Sequence, residues 1–121
     1  MADQGPYTGT VLRVNLTDGS IERESLDTRL ARDYIGGRGY TSRMQYDLIP
    51  VNVDPLGPEN VLLFAPGALT GTSAPSAARF VVAGRSPLTG IFGDANSGGY
   101  FGPMLKRAGY SLLIITGQSP R

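Results

Sequence analysis

The run Thr10-Val11-Leu12-Arg13-Val14-Asn15-Leu16 is followed by Thr17-Asp18-Gly19 and then by Ser20-Ile21-Glu22-Arg23-Glu24-Ser25. Residues 10–16 alternate apolar and polar side chains and favour extended backbone, so they read as a half-buried strand. Thr17-Asp18-Gly19 is a tight turn with glycine where a positive φ is needed. Residues 20–25 return as a second strand. The hairpin commits the start of the chain to sheet.

Outward from it, Asp27 is placed to cap a helix running to about Ile35, with Leu30, Tyr34 and Ile35 on one face. Gly36-Gly37 ends that helix. A second short helix spans about Tyr40–Leu48, with Met44 and Leu48 one turn apart. Pro50, Pro55 and Pro58 forbid regular structure as far as Asn60. Val61–Ala65 is a continuous apolar run, the pattern of a strand buried on both faces. Arg79–Ala83 is a further strand, Ser86–Gly90 a turn, and Ile91–Asp94 a short strand. Tyr100–Ala108 reads as a helix, with Pro103 tolerated only in its first turn and Gly109 closing it. Leu112–Thr116 is a last buried strand. The expected class is α+β, rich in strand, with a few short helices.

The chain has 121 residues, enough for one domain. Hydrophobic residues make up 40% and charged residues 17%, which excludes a disordered, highly charged chain. The net charge of +1 shows none of the basic excess that nucleic-acid binding requires. No apolar run is long enough to span a membrane. Met1–Pro6 is polar and lacks the apolar core of a signal peptide. There is no Cys and no His. Disulfides, zinc sites of the usual Cys/His kinds, and Ser-His-Asp or Cys-His catalysis are therefore excluded within this chain. Any reactive centre must be supplied by something else.

Charge is unevenly spread. Between Asn60 and Leu105 only Arg79, Arg85 and Asp94 are charged, and the stretch is rich in Gly, Pro, Ser and Thr. An exposed loop region normally carries more charge, so the pattern suits backbone packed against another segment, a subunit or a large ligand. A small β domain with a quiet surface gives the same pattern. Arg79 lies between Ala77-Ala78 and Phe80-Val81-Val82 and must find an acceptor. Its fork suits phosphate or carboxylate; a pair with Asp94 or Glu59 is the alternative. Arg85 stands in a turn at the surface. Asn96-Ser97-Gly98-Gly99 is the most ligand-like stretch, because Asn and Gly can turn backbone groups toward one point. Phosphate or a hard cation such as Mg2+ would suit it, and an Asn-capped turn without a ligand is the alternative. Gly36-Gly37-Arg38-Gly39 follows no strand and matches no nucleotide-binding fingerprint; a helix-to-helix corner explains it. Leu-Thr-Gly occurs at 69–71 and at 88–90, which turn chemistry alone explains.

Taken together, these segments resemble the N-terminal part of the aldehyde:ferredoxin oxidoreductase family, the tungsten or molybdenum bis-pyranopterin enzymes. The resemblance rests on Gly9–Leu16, Gly36–Gly39, Val53–Asn60, Leu69–Pro75, Ser86–Gly90, Ala95–Gly102, Leu105-Lys106 and Ala108–Tyr110, collinear and at matching spacing. No single one is diagnostic; the ordered set is specific. It implies that residues 1–121 are the first half of a β-rich, saddle-like pterin-binding domain on which two pyranopterins lie, their dithiolenes holding one tungsten. It implies that Arg79 contacts the tungstopterin, near a 4Fe-4S cluster. It implies that Asn96 offers its backbone carbonyl to a Mg2+ linking the pterin phosphates, and that Gly98 lies against the pterin. Members oxidise aldehydes to carboxylic acids and pass electrons through the cluster to ferredoxin. An oligomeric enzyme in an oxygen-poor cytoplasm is likewise implied.

The sequence departs from the family's pattern in being short. The second half of the saddle, the later pterin motifs, the cluster cysteines and the residues assigned to proton transfer are not in it, and Ala68 replaces a common Pro. The expected role is a cofactor-binding segment, inactive alone, that works with the remaining domains or subunit. A stand-alone or split-subunit module binding a phosphate-bearing cofactor is the alternative, and a non-functional remnant a third. Half a saddle is expected to leave Val61–Ala65 and Leu112–Thr116 with bare strand edges, and so to be poorly soluble.

Overall fold

The computed structural model describes Tyr7 and residues 9–120. The polar start Met1–Pro6 lies outside the described residues. The chain forms β1 (Thr10–Asn15), β2 (Ile21–Ser25), α1 (Thr28–Tyr34), α2 (Arg38–Leu48), β3 (Leu62–Pro66), β4 (Phe80–Arg85), β5 (Phe92–Ser97), α3 (Phe101–Arg107) and β6 (Leu112–Thr116). The class is α+β, as the sequence implied. The six strands make one mixed sheet in the order β2-β1-β6-β3-β4-β5. All neighbours are antiparallel except β1 and β6, which run parallel with Val11 opposite Leu112.

The hairpin forms where the alternation placed it, with Thr10 opposite Ser25 and Val14 opposite Ile21. Asp27 caps α1 by accepting from the Arg29 N–H at 2.8 Å. One sheet face carries Val11, Leu112, Ile114, Leu63 and Ala65, which pack with Leu26, Tyr40, Ile49, Val53 and Val61 into the core. Leu30, Met44 and Leu48 from α1 and α2 close over it. On the other face Phe101 of α3 meets Phe64 and Phe80, with ring centroids 5.6 and 4.8 Å apart.

Several expectations need correction. Ile35 is not on the apolar face of α1; it is the C-cap, at φ +68, and is exposed. The second helix starts at Arg38, two residues before the expected Tyr40, and the corner before it is compressed. A Cβ on Gly36 would lie 2.9 Å from the Ala68 nitrogen, and one on Gly39 would collide with the Tyr34 carbonyl. The apolar run after Asn60 is not buried on both faces: Leu63 and Ala65 are buried, but Leu62 is exposed. Nor are the edges of β3 and β6 bare. They are central strands, paired with each other and each with a second neighbour. The chain's own β1 and β4 supply the partners that β6 and β3 need. β4 runs on through Arg85, whose side chain donates to the Val51 carbonyl instead of standing free in a turn.

The proline-rich link is ordered by side chains. Asp54 Oδ1 accepts from the Leu56 N–H at 3.0 Å. Asn60 Nδ2 donates to the carbonyls of Pro55 and Arg85 at 2.8 and 3.0 Å. Its Oδ1 accepts from the N–H groups of Val61 and Arg85 at 2.9 and 3.2 Å. One amide thus joins the start of β3 to the end of β4.

Candidate functional site

The strongest ligand-like residues gather at one end of the β4–β5 ladder. β5 is longer than its sequence suggests and continues through Ser97. Asn96 is therefore a strand residue opposite Val81, not part of a glycine turn. Phe80 pairs with Ser97, so the next step of the same register sets Arg79 against Gly98, just past the two strand ends. Arg79 and Asn96 lie two positions apart on this ladder, about 7 Å along the strand direction. The topology thus brings Arg79, Asn96 and Gly98 together, and all three are exposed.

The anticipated alternative partners of Arg79 are not used. Asp94 pairs with Arg38 instead, at 3.1 Å. Among the described residues no carboxylate lies within ion-pair distance of the Arg79 guanidinium. Its backbone is fixed, however. Thr70, buried in the loop after β3, donates from Oγ1 to the Arg79 carbonyl at 2.6 Å and accepts from the Gly67 N–H at 2.9 Å. Leu-Thr-Gly at 69–71 is therefore a brace beneath Arg79. The second copy is an ordinary hairpin turn, in which the Gly90 N–H donates to the Ser86 carbonyl at 2.8 Å. Turn chemistry explains the second and understates the first.

β5 is an end strand, so alternate residues along it turn backbone C=O and N–H away from β4. A Cβ built on Gly98 or Gly99 meets nothing within 4 Å. Beside them a cavity of about 460 Å3 opens between Thr72, Ala77, Ala78, Gly99, Tyr100 and α3, with Arg107 on its wall. The arrangement offers a cation without an anion among the described residues, bare backbone and an open hollow. It can seat a flat, anionic molecule approaching the strand ends. Among the described residues, no group of three or more His, Cys, Asp or Glu could hold a metal ion by side chains alone. No helix of the described residues is long and apolar enough to cross a membrane.

Sequence reasoning missed Arg38. Its partner lies far along the chain, and only the sheet order brings them together. Lys106 and Tyr40 were also missed as buried polar groups. Lys106 donates to the Ala68 carbonyl at 3.3 Å, and burial depresses its pKa.

Comparison with known proteins places this architecture. Residues 11–121 match the sequence profile described as "Aldehyde ferredoxin oxidoreductase, N-terminal domain". The chain is 49% identical over 113 residues to a tungsten-containing aldehyde ferredoxin oxidoreductase of Pyrococcus abyssi, covering 93% of this chain and 19% of that protein. It is 33% identical over 116 residues to a Pyrococcus furiosus protein described as "Aliphatic sulfonate oxidoreductase, WOR-like subunit", covering 93% and 18%. A solved structure, "Active site complex BamBC of Benzoyl Coenzyme A reductase in complex with 1,5 Dienoyl-CoA", superposes with a TM-score of 0.93 at 43% identity, covering 96% of this chain and 18% of that one. The chain spans about a fifth of the length of the curated relatives it matches. With nearly every described element matched in both sequence and shape, the chain belongs to the aldehyde ferredoxin oxidoreductase family, as its N-terminal domain.

Proposed function

We propose that residues 1–121 form the first half of the pterin-binding domain of a tungsten- or molybdenum-dependent oxidoreductase, and that the chain seats the cofactor without performing the reaction alone. The observation that carries this is the β4–β5 register, in which Phe80 pairs with Ser97, so that Arg79 just before the one and Gly98 just after the other lie at the same end of the ladder. The residues fit a bis-pyranopterin. Arg79 presents a guanidinium that no carboxylate neutralises among the described residues, and such a fork matches a phosphate or a polar ring edge. Gly98 leaves room for a flat ring against the backbone. Asn96, on an edge strand, is the residue to offer a carbonyl oxygen to Mg2+, a hard cation that favours oxygen ligands.

When bound, the metal–pterin group supplies the two-electron redox chemistry that this chain's side chains lack. Arg79 would hold and orient it, Thr70 fixes the backbone from which Arg79 reaches, and Gly98 would leave the ring room to lie against the backbone. In this reading aldehydes are oxidised to carboxylic acids by the complete enzyme. A 4Fe-4S cluster, ligated outside this chain, would supply the electron path to ferredoxin. The enzyme works in the cytoplasm, as an oligomer with its remaining domains or subunit.

The test uses the full-length enzyme. Arg79→Ala is expected to lower tungsten per polypeptide and aldehyde-dependent reduction of benzyl viologen together, with Arg79→Lys retaining part of both. Unchanged metal content and rate in Arg79→Ala would overturn the reading.

A further inference from the structure

Arg38 opens α2, and its guanidinium reaches across to the edge strand. Nη2 lies 3.1 Å from Oδ1 of Asp94, and Cζ stands 5.8 Å from the centre of the Phe92 ring. The Asp94 side chain is only 19% exposed, although the Arg38 side chain remains 66% exposed. Asp94 precedes Asn96 by two residues on β5, so both project from the same sheet face. The helix that carries Arg38 is itself fixed, because the Gly37 N–H donates to the Pro66 carbonyl at 3.0 Å. β5 has a strand on one side only, through its ladder with β4. The ion pair is thus a cross-link from the rigid corner of α2 and β3 to the strand that ends in Asn96-Ser97-Gly98. It also covers the one carboxylate on β5.

We propose that Arg38 is a positioning residue for the cofactor. Through Asp94 it holds the end of β5 in place against Arg79, and it neutralises a carboxylate that would otherwise repel an anionic ligand bound at Asn96 and Gly98. This rests on the proposed seating of a phosphate-bearing cofactor at those residues. The pair is partly exposed, and such pairs add little to fold stability, so its loss is read at the site and not in folding.

The experiment compares Arg38→Gln, Asp94→Asn, the double variant, Arg38→Lys and Arg79→Ala in the full-length enzyme. It measures tungsten and organic phosphate per polypeptide, and amide exchange over residues 92–99. Arg38→Gln is expected to lower cofactor content about threefold and to speed exchange in β5. Arg38→Lys keeps the charge and most of the cofactor. The double variant is expected to hold more cofactor than Arg38→Gln alone, because the uncovered carboxylate is gone, while exchange in β5 stays fast because the cross-link is still broken. Wild-type content in Arg38→Gln, or a double variant as poor as Arg38→Gln, overturns the proposal. Should Arg38→Gln fail to fold, Arg38→Lys decides: content as low as in Arg79→Ala overturns the charge role. If Arg79→Ala also keeps its cofactor, the seating itself is wrong; if only Arg79→Ala loses it, the positioning role alone is wrong.

Discussion

The hydroxyl of Thr70 donates to the backbone carbonyl of Arg79 at 2.6 Å, so the loop after β3 sets where β4 begins. The same oxygen accepts from the Gly67 N–H at 2.9 Å. Thr70→Val preserves the shape and strips both bonds, leaving backbone groups unsatisfied in a protected place. It is expected to destabilise the protein by about 2 kcal/mol in urea unfolding, with Thr70→Ser retaining most of the stability. Equal midpoints for the Val and Ser variants would show that the brace carries no weight.

Two glycine-to-alanine changes should separate fold from ligand. At Gly39 an added methyl would press on the Tyr34 carbonyl inside a packed corner. Gly39→Ala is therefore expected to lower stability by about 3 kcal/mol, read as a fall in melting temperature. At Gly98 the methyl meets open space. Gly98→Ala is expected to leave the melting temperature within the range of ordinary surface changes, while lowering cofactor content in the full-length enzyme. The opposite ranking of the two would contradict the geometry.

The elements that were legible from sequence are those whose own residues dictate them. The β1–β2 hairpin has alternation, a turn and glycine at the right place, and Asp27 is a cap written locally. β5 was read too short because Asp94-Ala95-Asn96-Ser97 has poor intrinsic preference for strand. Its extended form is imposed by pairing with Val81 and Phe80. Arg79 stands out as a lone cation in a charge-poor stretch, and Asn96 and Gly98 through the Asn-Ser-Gly-Gly run and the family resemblance. Their meeting does not, since it depends on register. The Arg38–Asp94 pair was invisible for the same reason: nothing in the local pattern of either residue names the other.

Tyr40 is fully enclosed, and its hydroxyl has no hydrogen-bond partner among the described residues. Burial, and then the nearby Tyr7, raise its pKa above the ordinary value of 10.0. Above pH 10 the unfolded chain releases this proton while the folded chain keeps it, so stability falls as pH rises. Lys106 acts in the other direction. Its pKa is depressed below 10.5 by burial, so the unfolded chain binds more protons just below that value, and stability rises with pH there. Tyr40→Phe is expected to gain about 1 kcal/mol at pH 7 and to remove part of the loss above pH 10. Parallel curves for the two proteins across that range would refute the assignment.

Asn60 makes four hydrogen bonds from one side chain, tying the Pro55 loop and the ends of β3 and β4. Asn60→Ala is expected to cost about 3 kcal/mol, and Asn60→Asp nearly as much, because the carboxylate can no longer donate to the two carbonyls. A loss under about 0.5 kcal/mol in chemical unfolding would show that water replaces the amide.

The parallel seam between Val11 and Leu112 joins β1 to β6, about a hundred residues further along the chain. During synthesis the opening hairpin must therefore wait, lacking its inner neighbour, until Leu112–Thr116 has left the ribosome. Closing so long a loop is slow, and every nascent chain that stalls before Leu112 exposes Val11 and the helices meant to cover it. The sheet is thus completed only when β6 has emerged, and until then its inner strands lack a neighbour.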